Sequence, residues 1–299
     1  MTSRTDRLTY LGYRAGSAVA NALPTPVAKV LARGLGTGFS RTMAGRRAML
    51  TRHLRRVYGP SLTDEELDRK VTEAFDSYAQ YWLESFRLAS TSRDELEAGM
   101  SWEGVARVDE ALGAGKGVIM ALPHLGAWDF GGAWLASVGY PATVVVEALE
   151  PPELFEWFAD LRRAVGLTVV PHGPDAGAAI LRALRNNEVV GLVSDRDLAR
   201  TGVEVEFFGE RTTLPAGPAT LAIRTGAALL PCAIYFERGG HHHGIVRPAI
   251  DCSRQGSLRE DVARITQALA DELELLIRRA PEQWHLMQPN WPSDFELIE

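Results

Sequence analysis

The stretch VIMALPHLGAWDF, residues 118–130, decides how this chain is read. Placed on one helix, the five steps from His124 to Asp129 would turn through roughly 500° and leave the two side chains about 140° apart. A strand over 118–123, with His124 in the loop leaving it and Asp129 in the first turn of the next helix, lets them meet. The spacing therefore predicts a strand, a loop and a helix, with a histidine and a carboxylate brought together at the loop.

Outward from this unit the same texture repeats. The apolar runs ATVVVE (142–147), LTVVP (167–171), VVGLVS (189–194), VEVEFF (203–208) and LLPCAIYFE (229–237) alternate with the helical patterns PPELFEWFADLRRAVG (151–166) and PDAGAAILRALRNN (174–187). Runs apolar nearly throughout are strands covered on both faces, so the expected class is α/β with a mostly parallel central sheet flanked by helices. The spacing makes the last hairpin antiparallel, and an amphipathic helix closes the chain over about 257–279. Before Ser101 the chain reads as helical. Pro24 and Pro26 break an opening helix, GTGFS (36–40) marks a turn, and Thr63 with Glu66 forms a capping box for a long helix to about Leu88. The expected division is a helical part, 1–98, continuous with an α/β part, 99–299.

With 299 residues, 46% of them hydrophobic, the chain can bury a full core. Cys232 and Cys252 have no C-x-x-C companion, which points away from a zinc site or disulfide framework and fits a reducing compartment. No apolar run approaches the ~18 residues of a membrane span, and the N-terminus lacks the apolar core of a signal peptide. The net charge of −6 hides an asymmetry: residues 1–58 hold eleven Lys/Arg and one acid, Asp6, a balance of +10 that leaves −16 for the rest. A basic arm suits an anionic surface. That arm is also apolar, with Leu8, Leu11, Ala15, Ala18, Val19, Ala22 and Leu23 at helical spacing and Arg7 and Arg14 at the stripe's edge, so a membrane surface is favoured over nucleic acid. The alternative is a helix whose stripe packs on its own core.

In α/β sheets chemistry gathers where loops leave the carboxyl ends of strands. His124, Glu147 and the run Asp195-Arg196-Asp197 all follow such strands. A neutral imidazole can take a proton from an attacking hydroxyl while a carboxylate on its other nitrogen fixes the tautomer. No nucleophile accompanies this base, since Ser194 lies in GLVSD and not in G-x-S-x-G, so direct attack by a substrate hydroxyl is the economical chemistry. GAGKG (113–117) lacks the Ser/Thr of a phosphate loop, and His241, His242 and His243 alternate across a strand and cannot share a metal, so none is inferred.

LPHLGAWD resembles the histidine-four residues-acid motif of glycerolipid and lipid A biosynthesis acyltransferases. SDRDLARTGVEVEFFGERTTLPAGPATLAIRTGAALLP (194–231) resembles the second signature block of the lipid A branch, and APEQWHLMQPNW (280–291) resembles the phosphatidylinositol mannoside branch. The likeness runs in order over about 100–292 and implies a glycerol-3-phosphate acyltransferase-like fold. It implies His124 as general base, Asp129 as its orienting acid, and Asp195 as a further acid where related mannoside enzymes carry a glutamate. Glu147, Arg162, Arg196 and His285 are then expected to bind substrate. The implied reaction moves a long acyl chain, palmitoyl foremost, from acyl-CoA, a substrate and not a cofactor, to a mannose hydroxyl of a phosphoinositol glycolipid. The implied place is the cytoplasmic face of the inner membrane, peripherally held. Another lipid acceptor, such as a lipid A-like disaccharide or a lysophospholipid, would use the same base; a non-catalytic membrane scaffold is the reading from another class. The stripe Phe75, Tyr78, Trp82 and Phe86 suits either core packing or the wall of an acyl-chain channel.

Overall fold

The structure is a computed structural model that describes residues 4–295, with side chains from Asp6 onward. Helices α1 (Arg4–Ala22), α2 (Thr25–Thr42), α3 (Ala44–Tyr58), α4 (Asp64–Arg87) and α5 (Arg93–Ala98) precede the first strand. There follow β1 (Met100–Glu103), α6 (Ala106–Gly113), β2 (Val118–Leu122), α7 (Trp128–Ser137), β3 (Ala142–Val146), α8 (Pro152–Arg163), β4 (Thr168–Pro171) and α9 (Ala176–Arg185). The chain continues through β5 (Val189–Val193), β6 (Val203–Phe207), β7 (Glu210–Leu214), α10 (Gly217–Thr225), β8 (Ala228–Phe236), β9 (His242–Val246), α11 (Leu258–Arg279) and α12 (Pro292–Phe295).

Seven strands form one sheet in the order β1-β9-β8-β2-β5-β3-β4, parallel except where β9 turns back against β8. This is the α/β architecture that the apolar runs require. Every residue of β2 is buried because it lies between β8 and β5 with helices on both faces. Ile119, Ala121, Val190 and Leu192 pack toward α9, α10 and α11, whereas Val118, Met120, Leu122 and Val189 pack toward α6 and α7. The capping box opens α4 as expected: Thr63 Oγ1 accepts from the Glu66 amide, and the Glu66 carboxylate accepts from the Thr63 amide.

Two expectations are corrected. VEVEFF is a strand, but it lies outside the main sheet and pairs antiparallel with β7 around Phe208 and Gly209, both at positive φ. That two-residue turn matches the twist of a tight hairpin, which strand-length reasoning on 203–208 missed. GTGFS is not a turn. It lies inside α2, where a Cβ on Gly36 would come within 2.8 Å of the Asp76 Cα and the Phe75 carbonyl, so the glycine permits close packing on α4. Of the two readings of the α1 stripe, packing on the core holds only for Leu23: the helix docks through Tyr13 and Ala20, leaving Leu8 at 70% and Leu11 at 51% exposure. α2 does the same, burying Ala28, Ala32, Gly36 and Ser40 while Val30 stands 73% exposed beside Val27, Leu31, Leu35 and Phe39. Among the described residues no helix is long and apolar enough to cross a membrane.

Candidate active site

The pairing register builds the site. Leu122 on β2 is the partner of Val193 on β5, and the Ser194 amide extends the ladder to the Leu122 carbonyl at 2.8 Å. Adjacent strands lie about 4.8 Å apart, so the residues two positions beyond this pair, His124 and Asp195, emerge side by side. His124 Nδ1 lies 2.7 Å from Asp195 Oδ1, and the His124 amide donates to Oδ2 at 3.0 Å. Trp284 Nε1 also donates to Oδ2, at 2.7 Å, and the Asn290 side-chain amide donates to the Asp195 carbonyl at 3.0 Å. Asp195 is wholly buried, while the His124 ring is 34% exposed. Burial alone would raise the Asp195 carboxyl, but the His124 ring, the Trp284 indole and the His124 amide outweigh it and hold the group below the usual carboxylate range. An ionised Asp195 accepts a hydrogen bond from Nδ1–H, which fixes the proton on Nδ1 and leaves the Nε2 lone pair to the cavity. Among the described residues Nε2 has no protein partner.

The loop that carries His124 is held on both sides. The Gly126 amide donates to the Gln283 carbonyl and the Ala127 amide to the Ile234 carbonyl, each at 2.9 Å, while the His285 amide donates to the His124 carbonyl at 2.7 Å. Gly126 has φ +62°, and a Cβ there would stand 2.0 Å from the Ile234 carbonyl oxygen, so only glycine threads this gap.

Asp129 does lie in the first turn of α7, but it turns away from His124. Arg162 Nε and Nη2 donate to its two carboxylate oxygens at 2.8 and 2.7 Å, Tyr81 Oη donates at 2.9 Å and Ser85 Oγ at 3.3 Å. A nearly buried carboxylate is best satisfied by a planar fork of two N–H groups, and Arg162 on α8 offers one. Burial, then the Asp129 charge, pushes the Tyr81 hydroxyl well above its ordinary value, so it remains a donor. The expected pairing of His124 with Asp129 is therefore replaced by pairing with Asp195. Arg162 stands in the wall of the cavity beside His124, where it was expected to meet substrate. Its Nε and Nη2 are spent on Asp129 and its Nη1 donates to the Phe158 carbonyl, so its first role there is to hold Asp129.

A cavity of about 630 Å³ opens beside His124. On the α7 side of the sheet it descends past Leu122, Met120, Leu135 and Val189; on the α9 side it touches Ala176, Ile180 and Leu221. Glu147, half exposed, and Arg196 stand at this cavity with their charged atoms 3.9 Å apart. Asp197 beside them accepts from the Gly202 amide at 2.7 Å and Thr213 Oγ1 at 2.9 Å, folding the loop after β5 back on β7. Cys232 lies in the cavity wall, its thiol pushed up to about 12 by burial and thus no nucleophile at neutral pH.

His285 does not line the cavity as expected. It is buried among Tyr78, Tyr81 and Trp128 with Nε2 2.9 Å from Ser77 Oγ, and burial pushes it down to about 3, so the ring is neutral. Its contribution to the site is the backbone bond to His124. Of the aromatic stripe, Trp82 and Phe86 pack with Tyr13 and Phe158 while Tyr78 packs on Trp82 and His285; Tyr81, on the neighbouring face, reaches the cavity instead. His242 is spent on Glu84, with Nε2 2.8 Å from the carboxylate. Tyr81, Trp284 and Asn290 were not singled out for the site from sequence; only their tertiary partners give them a role.

A family model described as bacterial lipid A biosynthesis acyltransferase matches residues 3–293. The chain is 42% identical over 252 residues to a phosphatidylinositol mannoside acyltransferase of Mycobacterium tuberculosis, covering 82% of this chain and 77% of that protein. It is 38% identical over 291 residues to the protein so described in Mycolicibacterium smegmatis, covering 96% and 93%. A lipid A biosynthesis acyltransferase of Haemophilus influenzae is 25% identical over 228 residues, covering 75% and 69%.

Proposed function

Because the chain belongs to the bacterial lipid A biosynthesis acyltransferase family, we propose that it transfers a long acyl chain, palmitoyl foremost, from acyl-CoA to a mannose hydroxyl of a phosphatidylinositol mannoside, with His124 as general base. The observation that carries this reading is the His124–Asp195 pair, whose Nε2 opens on a cavity walled largely by apolar side chains. Nε2 takes the proton of the acceptor hydroxyl as its oxygen forms a bond to the thioester carbonyl carbon. The carbon–sulfur bond then breaks and the departing sulfur takes that proton back, giving an ester and free coenzyme A. Asp195 stays ionised and stabilises the transient imidazolium, a contribution of the kind worth ~10² to 10⁴-fold.

Glu147 suits sugar hydroxyls, which are donors, and Arg196 suits a phosphate, whether of the acceptor or of coenzyme A. The outward apolar faces of α1 and α2, with the basic residues those two helices carry, support attachment to an anionic leaflet, which we place at the cytoplasmic face of the inner membrane. The deciding experiment incubates the purified protein with labelled palmitoyl-CoA and a total lipid extract rich in phosphatidylinositol mannosides. Label in a more acylated mannoside, lost in His124→Gln, is the expected result. Label in another lipid would replace the acceptor, and no thiol release with any acyl-CoA would overturn the donor.

A further inference from the structure

The cavity reaches a place where a seven-stranded sheet ought to be closed. Gly191 is the middle residue of β5, with Met120 of β2 paired on one side and Val144 of β3 on the other. Its strand neighbours on the opposite face, Val190 and Leu192, are buried at 0% and 8% exposure, yet Gly191 itself is only partly buried. It is accessible because the α7-side lobe of the cavity descends to it, and Gly191, Met120 and Val144 form its floor.

Nothing in the backbone asks for glycine here. Gly191 is not at positive φ, the pairing on both sides runs through it without a bulge, and a Cβ would meet Val144 Cγ1 at an ordinary 3.4 Å. A glycine inside a strand costs stability, so its value has to lie in the space it leaves. That space lies on the path of an acyl chain. From His124 to the level of Met120 and Gly191 is four residues of strand, about 13 Å of depth. The walls along this path are apolar.

We propose that Gly191 sets the depth of the acyl-chain site and thereby the longest chain the enzyme accepts, an inference that rests on the acyl-CoA reading above. A chain threaded past Leu122 buries its distal methylenes over Gly191, where any side chain would stand in their place. Each methylene kept out of the cavity costs roughly fourfold in kcat/KM, the equivalent of ~0.8 kcal/mol per buried CH₂.

The test compares octanoyl-, lauroyl- and palmitoyl-CoA as donors for wild type, Gly191→Ala and Gly191→Val, following thiol release and ester formation. In Gly191→Val, kcat/KM for palmitoyl-CoA should fall at least ~10-fold relative to octanoyl-CoA, whose own value stays within about twofold of wild type. Gly191→Ala should show the same order to a smaller degree, and it keeps the proposal testable where the valine variant fails to fold. Equal loss with all three donors, or no change in their ranking, would overturn the role of Gly191. Wild type inert toward every acyl-CoA would instead remove the donor reading, and the proposal with it.

Discussion

Trp284 Nε1 donates a 2.7 Å hydrogen bond to Asp195 Oδ2, from a fully buried indole eighty-nine residues further along the chain. Together with the His124 amide it shares the Asp195 charge that would otherwise fall wholly on the imidazole. Trp284→Phe keeps an aromatic ring and removes the donor. The carboxylate then titrates higher and binds the imidazolium more tightly, so the acid limb of kcat against pH moves to higher pH while KM holds. A pH–rate profile that superimposes on wild type would show that Trp284 only fills space.

The two acids once grouped with His124 should separate by what they damage. Asp195→Asn presents a donor to Nδ1, which places the proton on Nε2 and removes the base; transfer should fall about 10³ to 10⁴-fold with a small change in melting temperature. Asp129→Asn leaves Arg162 buried without its partner and should cost ~3 to 5 kcal/mol of stability. Transfer rates and melting curves on both variants check this division. Were Asp129→Asn fully stable but inactive, Asp129 would belong to the chemistry.

The C-terminal segment is clasped to α3 by Asp294, which accepts from Arg52, Arg56, His53 and the amides of Asn290 and Trp291. Burial would raise this carboxyl, but the His53 bond and the two amides override it and depress the group far below the usual carboxylate range. A depressed carboxyl stabilises fully above its unfolded value, about pH 4, and loses that contribution only as pH falls toward the folded value. Asp294→Asn should therefore cost on the order of 3 kcal/mol at pH 7, with the gap to wild type narrowing below about pH 4. Urea midpoints at stepped pH measure it; a gap that widened in acid would contradict the clasp.

The basic arm divides in the same way. Arg47 pairs with Asp68, Arg52 and Arg56 with Asp294, and Arg55 with Asp64, so these side chains hold the protein together and are not free for a leaflet. Replacing Val30, Leu31, Leu35 and Phe39 with Ser should weaken sedimentation with anionic vesicles at least ~10-fold without lowering the melting temperature, because all four point outward. Replacing Arg52 and Arg56 with Gln should do the reverse. Vesicle binding untouched by the first set would remove α2 from the membrane contact.

What the sequence determined by itself was local. The apolar run 118–122, the break at Pro123 and the helix opening at Trp128 follow from period and turn chemistry, as do the capped start of α4, the parallel sheet and the position of His124 at a strand end. Periodicity tells a side chain which way to point from its own element, and nothing more. Which acid meets His124 depended on β2 and β5 pairing so that Leu122 lies beside Val193, a relation between segments seventy-one residues apart at the dyad itself. Asp129, close in sequence, was drawn off by Arg162 because a carboxylate leaving water takes the strongest set of donors within reach. The direction of α2's apolar face was likewise settled by the close approach of Gly36 to α4, which puts the small residues inside and the large ones out. Register, desolvation and steric fit act between elements, and so only the folded chain decides them.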